Sequence, residues 1–191
     1  MNPSSTLNLS IALIHYPVTN KNGEVIASAV TNLDLHDMAR SARTYGVKRF
    51  YVVTPLEDQQ ALAGKLVDHW ISGGGARYNP KRREAMQLVH IRDNLEQVVS
   101  EIAQTAGRQP RTIVTCARPQ KGSVTFGELR RTLSDGNPGL LLFGTAWGLA
   151  PDCMAAADII LDSVRGVGKY NHLSVRSATA IILDRLCGEF D

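Results

Sequence analysis

Leu140 to Phe143 is an unbroken apolar run closed off by Gly139 and Gly144, and it restricts the fold more than any other stretch. It is too short for a free-standing helix. A strand that is apolar on both faces must be covered on both faces, which is the condition of a parallel sheet clad in helices. A second such run, Ile159 to Leu161, sits between Asp158 and Asp162. The connection of about fifteen residues between them is just long enough for a right-handed crossover. Gly144 and Gly148 then fall at the C-terminal edge of the sheet, where open α/β sheets bind ligands because backbone groups there point into a crevice. From His172 to Leu186, the spacing of Leu173, Ala180, Ile181, Leu183 and Leu186 places apolar groups on one broad face of a closing helix.

The rest of the chain repeats this alternation. Ser10 to Tyr16 reads as a strand ended by Pro17, and the sequence Asn20 to Gly23 as a loop. Leu35, Met38, Ala39, Ala42 and Tyr45 have helical spacing, with Asn32 or Asp34 as the cap and Gly46 just past the end. A strand over residues 49–55 and a helix over residues 57–72 follow, then Gly73 to Gly75 and a polar, basic stretch with Arg77, Lys81, Arg82 and Arg83 that reads as an exposed loop. Residues 88–91 form a strand, 94–106 a helix ended by Gly107 and Pro110, 111–117 a strand, and 125–133 a helix in which Thr125 and Glu128 have capping-box spacing. The expectation is one α/β domain over residues 1–191, a single parallel sheet of about six strands with helices on both faces, and residues 1–9 extended or disordered.

Composition excludes several classes. Hydrophobic content of 43% with 20% charged residues is that of a globular chain rather than a disordered or membrane one. No apolar run approaches the length of a bilayer span. The first ten residues lack the basic region and cleavage site of a secretory signal, so a cytoplasmic protein is expected. Cys116, Cys153 and Cys187 are too far apart for a CxxC site, and the five histidines show no HxxxH pair, so no metal is expected. The net charge of +3 is mildly basic and admits an RNA partner without requiring one. The run Arg77 to Arg83 has two readings, phosphate contact or a solvated face.

Three stretches carry a family resemblance. LLLFGTAWGL at Leu140 to Leu149 resembles the second motif of the SPOUT methyltransferases, an apolar strand followed by a glycine and a turn ending in Gly-Leu. NHLSVRSATAII, from Asn171, is similar to their third motif, which precedes an alanine-rich helix. In the ribose methyltransferases of that superfamily an early helix has an asparagine, then an arginine before Phe-Gly-Val. Here Arg40 matches the arginine ahead of Tyr45-Gly46-Val47, and Asp34 stands at the asparagine.

The resemblance implies a C-terminal deep trefoil knot holding S-adenosylmethionine, a tRNA or rRNA substrate, and a homodimer whose closing and first helices meet at the contact. It places Gly144, Leu161 and Leu173 where backbone groups meet the adenosine, with Thr145, Gly148 and Arg118 nearby. It puts Arg40 on the substrate side, followed by Arg176, which stands where the family has a serine, and by Asp34. Departures also occur: Thr145-Ala146-Trp147 contains no acid where the ribose-type turn has a glutamate, and Ser174 replaces the third motif's asparagine. Base and ribose methylation therefore both stay open. Trp147 offers a ring for stacking on a base or for core or subunit packing. A non-catalytic RNA-binding protein of the same fold and an unrelated flavodoxin-like nucleotide-binding enzyme are the alternatives.

Overall fold

The structure, a computed structural model, describes residues 7–189. Six strands, β1 (Leu9–Ile14), β4 (Phe50–Val53), β5 (Val89–Arg92), β6 (Arg111–Val114), β7 (Gly139–Gly144) and β8 (Ile159–Ile160), form one sheet in the order β5-β4-β1-β7-β6-β8. Every pairing in it is parallel. A small antiparallel ribbon, β2 (Val18–Thr19) with β3 (Val25–Ile26), stands apart. Its turn holds Asn20 to Gly23, read above as a plain loop.

Alternation along the strands sorts the core into two layers. Leu9, Ile11 and Leu13 of β1 point to one face, where they meet buried residues of α1 (Asn32–Thr44), α2 (Glu57–Ile71), α4 (Pro80–Met86), α6 (Phe126–Leu133) and α8 (Val175–Cys187). Ala12 and Ile14 point to the other, against α5 (Leu95–Ala106) and the short α7 (Pro151–Ala155). One further short helix, α3 (Gly74–Tyr78), follows α2.

Several helix ends follow the sequence signals. Gly107 takes the left-handed conformation after α5, and the Thr125–Glu128 capping box closes the start of α6. Three expectations need correction. The cap of α1 is Thr31, whose hydroxyl accepts from the Asp34 amide, so neither Asn32 nor Asp34 caps it. Residues 77–86 are largely helical rather than a loop, because Asn79 caps α4 at the Arg82 amide and Pro80 occupies its first turn, where a missing N–H costs nothing. The crossover from β7 passes over β6, so that β8 pairs with β6. The last helix starts at Val175, capped by Ser174, leaving Leu173 on an exposed loop.

This topology fixes where a ligand can sit. The chain leaves β1 towards α1 on one face and leaves the adjacent β7 towards α7 on the other. Adjacent strands whose connections depart to opposite faces mark the ligand-binding end of an open sheet, here the edge at Gly144 beside the buried His15.

Candidate active site

At that edge the turn after β7 is tightly built. Gly144 pairs with Ile14, and both the amide and the hydroxyl of Thr145 donate to the Ile14 carbonyl, at 3.2 and 3.0 Å. The Gly148 amide closes the turn on the Thr145 carbonyl at 2.9 Å, with Ala146 at φ 51 and Gly148 at φ 109. A left-handed alanine is strained by on the order of 1 kcal/mol, and the surrounding bonds hold it. The β2 strand clamps the turn through Trp147 N to Thr19 O at 3.0 Å and Thr19 N to Gly148 O at 2.9 Å. A Cβ on Gly144 would lie 2.6 Å from the Leu149 amide nitrogen. Gly144 is thus required by the turn's own backbone, a different reason from the close approach of a ligand that its position suggested. Trp147 presents a 63% exposed side chain.

A hydrogen-bond chain ties this turn to β1. The Thr145 hydroxyl is committed to the Ile14 carbonyl, so the Ser28 hydroxyl donates to Thr145, and His15 Nδ1–H donates to Ser28 at 2.8 Å. His15 is therefore the Nδ1–H tautomer, and its Nε2 is a bare, buried acceptor with no partner among the described residues. Burial lowers its pKa to about 4 against the opposing pull of the Asp34 carboxylate. The ring is neutral at physiological pH.

The loops after β6 and β8 close the other side. Leu161 is buried and its amide donates to Val114 O at 3.0 Å, while the Asp162 amide donates to Val124 O at 2.9 Å and the Asp162 carboxylate oxygen Oδ1 accepts the Ser123 hydroxyl. Asn171 donates to the Ala117 carbonyl at 2.7 Å, drawing the exposed loop before α8 towards Arg118, which is itself exposed. Leu173 is 41% exposed on that loop.

Across the α1–α8 junction lies a groove of about 470 Å³ lined by Asp37, Arg40, Tyr45, Arg176 and Ala180. Residues 142 positions apart meet there: Arg176 Nη1 lies 3.2 Å from Asp34 Oδ1, and its Nε lies 3.5 Å from Asp37 Oδ2. The other Asp34 oxygen accepts the Thr31 hydroxyl at 2.6 Å. Arg40 makes one long contact, 4.0 Å to Asp37, and its side chain is 61% exposed. So Arg176 is held and Arg40 is available. Asp34 and Asp37 thus bring Arg176 and Arg40 to one groove, whereas Arg118 lies apart from them on the loop after β6. His15, Ser28 and Ser163 escaped sequence reading, because a lone histidine in an apolar strand and isolated serines carry no spacing signal.

Chains of this build are α/β proteins that bind a ligand at the carboxyl ends of an open sheet. The sequence pattern of a family described as SAM-dependent RNA methyltransferase matches residues 8–188, and the chain belongs to that family. A tRNA (guanine-N(1)-)-methyltransferase of Oleidesulfovibrio alaskensis is 46% identical over 95% of this chain, which spans only 42% of that relative. An uncharacterized protein of Aquifex aeolicus is 41% identical over 94% of this chain and 88% of its own length. Among solved structures, an Aquifex aeolicus TrmH/SpoU tRNA modifying enzyme superposes with a TM-score of 0.57 at 20% identity, covering 96% of this chain and 75% of that one. The SpoU methyltransferase AviRb from Streptomyces viridochromogenes, in complex with AdoMet, gives 0.58 at 17% identity, covering 97% and 58%. These likenesses show the SPOUT-type fold.

The cofactor is S-adenosylmethionine, and the loops fit it. Ser163, two residues after Leu161, is buried with its hydroxyl unpaired among the described residues, so it is a polar group awaiting a partner. The Cβ position of Gly148 faces open space, leaving room against the turn. Among the described residues no group of three or more His, Cys, Asp or Glu side chains is placed to hold a metal ion, and no helix is long and apolar enough to cross a membrane.

Proposed function

We propose that this methyltransferase modifies a nucleoside of tRNA in the cytoplasm, with S-adenosylmethionine held by the loops after β6, β7 and β8. Gly144, Thr145, Gly148, Leu161, Leu173 and Arg118 frame the cofactor, with Ser163 added to them. The bound sulfonium supplies an already activated methyl group. The protein's task is then to align the acceptor and to take its proton.

Arg40 meets the substrate, as phosphate or acceptor oxygen. Arg176 and Asp34 are positioning residues: with both oxygens engaged by Thr31 and Arg176, Asp34 holds the groove's shape. The observation that carries this reading is the meeting of Asp34, Asp37, Arg40 and Arg176 at one groove, beside a β1 whose His15 is linked through Ser28 to the cofactor turn. The tRNA assignment is supported by the name of the Oleidesulfovibrio relative, of which this chain matches a part.

The active unit is a homodimer formed across α1 and α8, and the C-terminal segment carries the trefoil knot that the SPOUT motifs imply. Within one chain α8 buries Thr179, Ile182, Leu183 and Leu186, leaving Ala178, Ala180 and Ile181 half-buried, and Leu33 of α1 is 60% exposed. Such leftover apolar surface suits a two-fold contact. Light scattering at low micromolar concentration checks this: a mass of twice 20.8 kDa is expected, and a monomer defeats the shared site.

A further inference from the structure

We infer that α3 and α4 form a docking surface for a single-stranded segment of the RNA substrate, outside the catalytic groove and continuous with it; the inference rests on the RNA reading above. Residues 73–87 hold four of the chain's 21 Lys and Arg and one of its 18 Asp and Glu. The remaining 17 and 17 cancel, so this segment carries the whole formal excess of positive charge.

Folding puts that charge outside. Arg77, Lys81 and Arg83 are exposed, Lys81 with 94% of its side chain free, and Tyr78 among them is 87% exposed. Arg82 has a different role, its guanidinium lying 4.5 Å over the Trp70 ring. Exposed cations beside a bare aromatic ring match the two needs of an unpaired strand, phosphate neutralisation and a face on which a base can stack. An anionic membrane would need an apolar face to insert, yet Gly75, Ala76, Ala85 and Met86 are turned into the protein. The surface also leads to the groove. Glu84 of α4 pairs with Arg43 of α1, one turn beyond Arg40, and with Lys81 at 3.7 Å.

Glu84 gives the test a second sign. Fluorescence anisotropy with unfractionated tRNA over a salt series is measured for wild type, the triple variant Arg77→Ala/Lys81→Ala/Arg83→Ala, Tyr78→Ala and Glu84→Gln. S-adenosylmethionine affinity is measured alongside. The triple variant is expected to weaken tRNA binding at least tenfold and to lower the slope of log affinity against log salt by roughly two, since each lost phosphate contact removes about 0.7–0.9. Tyr78→Ala weakens binding several-fold, Glu84→Gln tightens it two- to three-fold, and cofactor affinity and melting temperature stay put. A triple variant with unchanged tRNA affinity and slope, in a protein that still methylates tRNA, overturns this surface and spares the proposed function. Wild type that binds no tRNA overturns both. Loss of binding to phosphatidylglycerol vesicles by the triple variant, with tRNA binding intact, reassigns the surface to membrane and also overturns the inference.

Discussion

Arg40 and Arg176 line the same groove, yet their surroundings hold them differently. Two carboxylates fix Arg176, whereas Arg40 has a single 4.0 Å contact and a side chain free to reach a substrate. On the substrate role proposed for it, Arg40→Ala should lower the turnover of methyl transfer by about ten- to a hundredfold and leave S-adenosylmethionine affinity within about twofold. Calorimetry and single-turnover kinetics on the same preparation separate the two effects. Equal loss of both would remove Arg40 from the substrate side. The sequence showed this residue through its step to Tyr45-Gly46-Val47. It showed Gly144 too, but its reason, a 2.6 Å approach to the Leu149 nitrogen, exists only once the turn has folded back. The protonation of His15 was equally hidden, since it depends on hydroxyls 13 and 130 residues away.

Helix α1 joins stability to function through its cap. The Thr31 hydroxyl accepts from the Asp34 amide and donates to the Asp34 carboxylate, which in turn holds Arg176. Thr31→Val keeps the side chain's shape and removes both bonds. A stability loss of about 1 kcal/mol is expected from the cap, read by urea titration, together with slower methyl transfer as Arg176 loses its anchor. Normal transfer with the stability loss would show that Asp34 does not position the groove. Elements with strong periodic patterns or glycine stops, such as α5 and β7, were legible in sequence. The α3–α4 pair was not, because its short helices present polar and basic residues over a small buried face; only Asn79-Pro80 marked a start.

Acid sensitivity belongs to the whole molecule. Burial lowers the pKa of His15 from the usual 6.5 to about 4, and burial also lowers His36 and His90. Between those values the unfolded chain takes up a proton at His15 that the native protein refuses, so stability is full above pH 6.5 and falls as pH drops towards 4. The slope is at most about 1.4 kcal/mol per pH unit for one such group. Urea titrations from pH 7.5 to 4.5 should show this fall, shallower in His15→Gln; a flat profile would contradict the buried neutral ring. The six-stranded parallel sheet was legible from apolar runs and glycine stops. Its strand order was not, because the insertion of β6 between β7 and β8 depends on long-range pairing.

The central claim, methyl transfer to tRNA by this chain, is tested most directly with purified protein, radiolabelled S-adenosylmethionine and tRNA from a strain lacking the gene. Nucleoside digestion and chromatography of the product should yield one labelled methylated nucleoside, absent with tRNA from the parent strain, where the position is already filled. Cofactor that binds normally but leaves no label in any tRNA nucleoside would contradict the account.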